Sequence, residues 1–252
     1  MASNKAVDEE NMQKSSTKKS SMIQEIGRYD AGYAKIDNYR MIIVGGEDAG
    51  GNSLSSGFLF DTRTQELTHL PNDMPEALQG CFAVANEDYM YIIGGYDADD
   101  DAVNTVYRLS IKTFKWSIMT PMDTARCHFA AILNDNYIYV FGGRDHAVES
   151  DYGMSLTERY CIENNTWEHL PDMPKDDRYP EMSGVRYGLC AVIASLGASD
   201  CIVIVGGTRL CSTIAFDVKL LQWKTGLDLR TMPEARNHAA AVLLKDRYLV
   251  VI

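Results

Sequence analysis

The repeating part of this sequence lacks a helical period: no cycle places apolar residues at the three- and four-residue spacing of a helix face, so its elements read as strands. Residues 1–25 lack any apolar stretch long enough for a signal peptide or a membrane span, which excludes both for that segment and gives no reason to expect a membrane partner. No two of the six cysteines form a Cys-x-x-Cys pair. Cys81, Cys127, Cys161, Cys190, Cys201 and Cys211 are scattered, most of them in or beside apolar strands, and read as buried reduced thiols of a cytoplasmic protein, with the nucleus as the other compartment. Basic residues are in deficit. Lys and Arg number 24 against 35 Asp and Glu, for a net charge of −11, which argues against nonspecific nucleic-acid binding and makes basic peptides or proteins the natural partners.

What is present is a repeat. Apolar runs ending in a double glycine recur four times: Met41-Ile42-Ile43-Val44-Gly45-Gly46, Tyr91-Ile92-Ile93-Gly94-Gly95, Tyr139-Val140-Phe141-Gly142-Gly143 and Ile202-Val203-Ile204-Val205-Gly206-Gly207, spaced 49, 48 and 64 residues apart. A fifth unit reaches Tyr248-Leu249-Val250-Val251-Ile252. Leu67, Trp116, Trp167 and Trp223 share one repeat position, each preceded seven residues earlier by Phe60, Leu109, Tyr160 or Phe216. Met74-Pro75, Pro121-Met122, Met173-Pro174 and Met232-Pro233 punctuate the chain next, where proline ends a strand for want of an N–H. Arg126, Arg186 and Arg236 follow, with Leu78 in their place in the second unit.

Each unit therefore reads as four short antiparallel strands separated by turn residues. Runs that are apolar at successive positions suit strands covered on both faces, as when twisted sheets stack. The paired glycines suit positive φ and positions where side chains would collide, and each Trp suits a wedge between sheets. Sheets arranged radially in this way make a β-propeller.

On these residues the chain resembles the kelch-repeat family over about Arg28 to Ile252. It departs from that pattern at Leu67 and Leu78, and in about fifteen extra residues between the third and fourth double glycines. Trp-Asp and Gly-His dipeptides, the signature of the other common propeller repeat, are absent. The expectation is an all-β, kelch-type propeller of four-stranded antiparallel blades over residues 26–252, four blades and half of a fifth, truncated at the C-terminus, behind a disordered polar tail over residues 1–25. Propellers hold about 4–8 whole blades, which motivates the truncation.

In such a blade the loop between the second and third strands and the connection to the next blade emerge on one face. That face carries the longest loops, Glu47 to Ser56, Tyr96 to Asn104, Arg144 to Met154, Thr208 to Ser212 and Lys175 to Gly184. Binding residues concentrate in such loops. Candidate partner-binding residues are Arg126, Arg186, Arg236, Arg144, Asp145, His146, Asp151, Tyr152, Arg178 and Tyr179; a once-per-repeat arginine also reads as a tie between blades. The acidic run Asp97-Ala98-Asp99-Asp100-Asp101 lacks the Gly and Glu of a calcium loop and reads as solvated. His128 and His238 hold the same repeat position two blades apart, without identifiable further ligands, and no catalytic or metal residue and no cofactor is assigned.

The resemblance implies a noncatalytic protein-interaction module that binds a protein or peptide on its loop-rich face, as a scaffold or as a substrate receptor of a cullin-based ubiquitin ligase. The alternative is a propeller enzyme or small-molecule binder acting at the channel mouth.

Overall fold

Turn chemistry cuts each repeat into strands. The computed structural model, which describes residues 27–145, 153–175, 184–197, 199–225, 229, 231–244 and 248–252, pairs those strands in chain order. The first sheet is β1 (Gly32–Lys35), β2 (Arg40–Val44), β3 (Gly57–Asp61) and β4 (Glu66–His69). The second is β5 (Phe82–Ala85), β6 (Tyr89–Ile93), β7 (Val106–Ser110) and β8 (Trp116–Ile118). β9 (Ala130–Asn134), β10 (Tyr137–Phe141), β11 (Thr157–Cys161) and β12 (Thr166–Leu170) form the third, and β13 (Cys190–Leu196), β14 (Ser199–Val205), β15 (Thr213–Asp217) and β16 (Gln222–Trp223) the fourth. Among the described residues the fifth unit is a two-stranded sheet, β17 (Ala241–Leu244) and β18 (Tyr248–Val251).

All pairings within these sheets are antiparallel. The innermost strands β1, β5, β9, β13 and β17 lie side by side in that order. The architecture is a β-propeller of four-stranded antiparallel blades. No helix among the described residues is long and apolar enough to cross a membrane. The segment expected as a tail, residues 1–25, lies outside the described residues.

The second strands are covered on both faces, as their unbroken apolar runs demand. Met90 through Ile93 in β6 and Ile138 through Phe141 in β10 are buried at every position. Their side chains fill separate clusters on opposite faces of the sheet: Met90 and Ile92 pack toward the first blade, Tyr91 and Ile93 toward the third.

The seven-residue spacing between the aromatic and the Trp is a direct cross-strand pair, Phe60↔Leu67, Leu109↔Trp116, Tyr160↔Trp167 and Phe216↔Trp223. Each indole also ties back to the preceding blade. Nε1 of Trp116 donates to the Asn72 carbonyl at 3.1 Å, Trp167 to Thr120 at 2.9 Å and Trp223 to Pro171 at 2.8 Å. Leu67 in the first blade has no N–H to play this part.

Two different collisions explain the double glycine. A Cβ on the first glycine would meet the carbonyl oxygen of the next unit's opening residue: Leu78 at 2.4 Å from Gly45, Arg126 at 2.5 Å from Gly94, Arg186 at 2.4 Å from Gly142 and Arg236 at 2.6 Å from Gly206. The methyl of Met74, Met122, Met173 or Met232 closes the same spot from the other side. A Cβ on the second would meet backbone of its own blade in three units, Tyr29 O at Gly46, Gln79 O at Gly95 and Cys127 O at Gly143; at Gly207 the nearest atoms stand 3.4 Å away.

The long interval between the third and fourth double glycines is shared between two places. The loop from Lys175 to Gly184 falls within it, and residues 176–183 of that loop lie outside the described set. Part of the interval lengthens the β13–β14 hairpin, whose strands are seven residues each: Cys190 pairs with Val205, whereas the shorter third-blade hairpin pairs Ala130 with Phe141.

Candidate functional site

Every unit opens with three residues that converge on the propeller axis: Arg28-Tyr29-Asp30, Leu78-Gln79-Gly80, Arg126-Cys127-His128, Arg186-Tyr187-Gly188 and Arg236-Asn237-His238. Their main chain stitches the blades together. The carbonyl of the first residue accepts the N–H of the preceding blade's second glycine, from Gly46 to Leu78 at 2.7 Å, Gly95 to Arg126 at 3.0 Å, Gly143 to Arg186 at 2.8 Å and Gly207 to Arg236 at 3.0 Å. The second residue pairs with the one that follows the double glycine, Tyr29 with Glu47, Gln79 with Tyr96 and Cys127 with Arg144.

The structure corrects the expectation that Arg126 and Arg186 meet a partner. Both are buried, and their guanidinium groups are occupied inside their own blades. Arg126 Nη1 donates to the Gly142 carbonyl at 3.0 Å, and Arg186 Nη1 to the Gly206 carbonyl at 2.8 Å with Nη2 on Ser212 Oγ at 2.8 Å. Arg28 repeats the pattern on Gly45 and Ser56 in the first blade, and so extends the series by a member the sequence reading left out. An arginine is used because one fork satisfies carbonyls of two adjacent strand ends at once. Arg126 also faces Glu158, with Nη2 3.3 Å from Oε2. Burial lowers the pKa of the first group and raises that of the second, each shift opposed by the attraction of the pair.

The third residue of each opening triplet forms the mouth. Asp30, Gly80, His128, Gly188 and His238 all take positive φ, between 49° and 64°, a conformation taken most readily by Gly and, among the other residues, favoured for Asn, Asp and His. They line a cavity of about 200 Å³ to which all five units contribute, together with Tyr33, Phe82 and Phe129. The ring places His128 and His238 edge to face with centroids 4.6 Å apart, although they lie two blades apart in sequence. Tyr96 stands edge-on to His128 at 5.4 Å. Arg144 Nε donates to Tyr96 Oη at 3.0 Å, and its guanidinium lies 5.1 Å from the Tyr187 ring. Burial raises the Tyr96 pKa and keeps the phenol neutral.

Of the expected contact residues, Arg144 and Asp145 stand half-buried at this mouth and Arg236 stands exposed beside it. His146, Asp151, Tyr152, Arg178 and Tyr179 lie outside the described residues. Tyr96 and Tyr187 were missed; their signal is their place, one directly after a double glycine and the other directly after the repeat arginine. The acidic loop is shaped by its own backbone, with Asp97 Oδ1 accepting the N–H groups of Asp99 and Asp101 at 2.9 and 3.0 Å. Asp100 Oδ1 accepts from Gln79 Nε2 at 3.0 Å.

A rigid propeller with aromatic, imidazole and guanidinium groups around one axial mouth belongs to the repeat-built binding scaffolds. Residues 7–207 match the KLHDC2/KLHL20/DRC7 Kelch-repeats domain, and the chain belongs to this kelch-repeat family. It is 31% identical to Kelch-like protein 38 of Danio rerio, in a match that covers 83% of this chain and 42% of that protein. It is 32% identical to Kelch-like protein 40 of Mus musculus over 41% of this chain and 16% of that protein. The F-box/kelch-repeat protein At1g16250 of Arabidopsis thaliana is 29% identical over 55% of this chain and 33% of that protein. The chain thus spans less than half the length of these curated relatives.

Proposed function

We propose that this chain is a noncatalytic recognition module whose axial mouth and surrounding loops hold a protein or peptide partner. The observation that carries the reading is the composition of the mouth. Exposed Tyr33 lines the cavity with Phe82, His128, Phe129 and His238, Tyr29, Tyr187, Arg144 and Arg236 sit on the neighbouring segments that the main-chain stitching holds, and Tyr and Arg are residues that dominate binding energy at protein interfaces. The thiols nearest the mouth support a noncatalytic role. Burial pushes Cys81 up to about 12 and raises Cys127, the reverse of what activates a nucleophile. Relatives named for BTB and F-box domains support a place as the substrate-recognition part of a larger assembly, and the six reduced thiols fit the cytoplasm or nucleus.

The test is site-directed photo-crosslinking in cells, with the crosslinker in place of Tyr33 at the mouth or Glu87 at the opposite end of the propeller. A discrete protein adduct from the mouth position alone, lost in Arg144→Ala and Tyr187→Ala, is the expected result. Equal adducts from both positions, or adducts indifferent to those substitutions, would sink the reading.

A further inference from the structure

A second cluster spans the second and third blades and meets the mouth segments through Arg126, which faces Glu158. His169 Nε2 lies 2.8 Å from Asp123 Oδ2, and His169 Nδ1 lies 3.6 Å from Glu158 Oε1. One ligand-capable atom from each of the three residues falls within 4.8 Å of the others. Asp123 leaves the second blade beside the Pro-Met landmark, whereas Glu158 and His169 are cross-strand partners on β11 and β12 of the third. The cluster therefore spans a blade boundary.

Glu158 is the unusual member. Its repeat position holds Phe58 in the first blade, where the cross-strand partner His69 packs on the ring at 4.4 Å and Arg28 lies over it at 4.6 Å, and Tyr107 in the second. The third blade puts a carboxylate in this apolar slot. Glu158 is 1% exposed while Asp123 and His169 are 61% and 60% exposed. Among the described residues neither Glu158 oxygen accepts a hydrogen bond and Thr157 Oγ1 makes none; Arg126 Nη2 stands 3.3 Å from Oε2 as an ion pair. A buried carboxylate without hydrogen bonds, directed toward an exposed imidazole and a second carboxylate, is the arrangement a cation completes. Arg126 supplies one positive charge against two carboxylates, and Asp172 adds a third negative charge within electrostatic range of that arginine.

We propose that Asp123, Glu158 and His169 bind a divalent transition-metal ion of the zinc class, which clamps the second blade to the third. One imidazole nitrogen and two carboxylate oxygens form the mixed nitrogen and oxygen set that zinc accepts, with solvent on the exposed side available for the remaining position. The competing arrangement is His169 lying between the two carboxylates with no metal.

The test uses the 252-residue chain stripped with chelator. Zn²⁺ is titrated calorimetrically, and Co²⁺ is followed by its visible absorption, both near neutral pH. The expected result is one equivalent bound, a rise in thermal midpoint on adding Zn²⁺, and affinity weakened by roughly tenfold or more in His169→Gln and in Asp123→Asn. Both substitutions change exposed side chains, and circular dichroism verifies that each variant is folded. Absence of saturable binding, binding of equal strength in both variants, or a stability that follows pH but ignores metal would each overturn the proposal.

Discussion

The carbonyl of Arg126 accepts the N–H of Gly95 at 3.0 Å across the boundary between the second and third blades, while the Arg126 side chain turns into its own blade to reach the Gly142 carbonyl at 3.0 Å. One residue thus serves a blade boundary with its main chain and the interior of its own blade with its guanidinium.

Replacing Arg126 tests what the side chain contributes. Arg126→Met leaves Glu158 buried without its counterion and is expected to destabilise the protein by about 3–5 kcal/mol. Adding Glu158→Leu should restore most of the loss, because apolar residues in place of a buried ion pair are close to neutral. Arg186→Met, which strands the Gly206 carbonyl and Ser212 Oγ, should cost about 1–3 kcal/mol. Denaturant midpoints of the four proteins order these effects. A double variant no more stable than Arg126→Met alone would contradict the ion-pair account.

Gly94→Ala separates steric from conformational cost. At Gly94 φ is 52° and a Cβ would sit 2.5 Å from the Arg126 carbonyl oxygen; at Gly197 φ is 74° with nothing within 4 Å among the described residues. Gly197→Ala is expected to cost about 1 kcal/mol through backbone strain alone. Gly94→Ala should cost clearly more, read as a lower thermal midpoint. A difference within error would mean that the neighbouring blade yields without penalty.

Thiol chemistry follows burial. The Cys81 thiol is raised to about 12 and Cys190 to about 11, both by loss of solvation, whereas Cys161 is half-buried. With a disulfide reagent near pH 8, Cys161 should be modified well before Cys81 and Cys190, which become reactive only on unfolding. Peptide mapping of a time course decides the order.

The acid limb of stability should depend on Asp217. Its Oδ1 accepts the N–H groups of Lys219 and Leu220 at 3.0 and 2.9 Å, and its Oδ2 lies 3.1 Å from Lys224 Nζ. The backbone hydrogen bonds, above all that from Leu220, hold its pKa down at about 2. An unfolded Asp titrates near about 3.9. The contribution is therefore complete above about pH 4 and is lost as pH falls toward about 2. Asp217→Asn should lower stability at neutral pH and flatten the decline over that window, as followed by unfolding at a series of pH values.

The steric parts of the fold could be read from the sequence because they tolerate few residues. Gly94 and Gly142 have no substitute where a carbonyl stands 2.5 Å or less from a Cβ, and Trp167 must both fill a gap and donate to Thr120. Arg126 and Arg186 were ambiguous, since a charge repeated once per unit suits a ligand ring or a structural fork equally well. Burial decides that, and burial is a property of the assembled blades. The approach of His128 to His238 was hidden for a related reason: residues two blades apart meet only if their shared position lies at the axis. The Asp123, Glu158 and His169 cluster left no trace in the sequence because its members come from two blades and follow no motif.

Around the axis, Gly80 N–H donates to the Asp30 carbonyl at 2.8 Å, Gly188 to His128 at 2.7 Å and His238 to Gly188 at 2.8 Å, all main chain to main chain. The side chains at those positions carry none of that bonding and need only accept a left-handed backbone. The mouth is therefore a set of fittings on a fixed frame: at Asp30, Gly80, His128 and His238 the residue can change within the set that accepts a left-handed backbone, altering charge and shape while the main chain stays as it is, whereas at Gly188 a Cβ would stand 3.1 Å from that of Asn237.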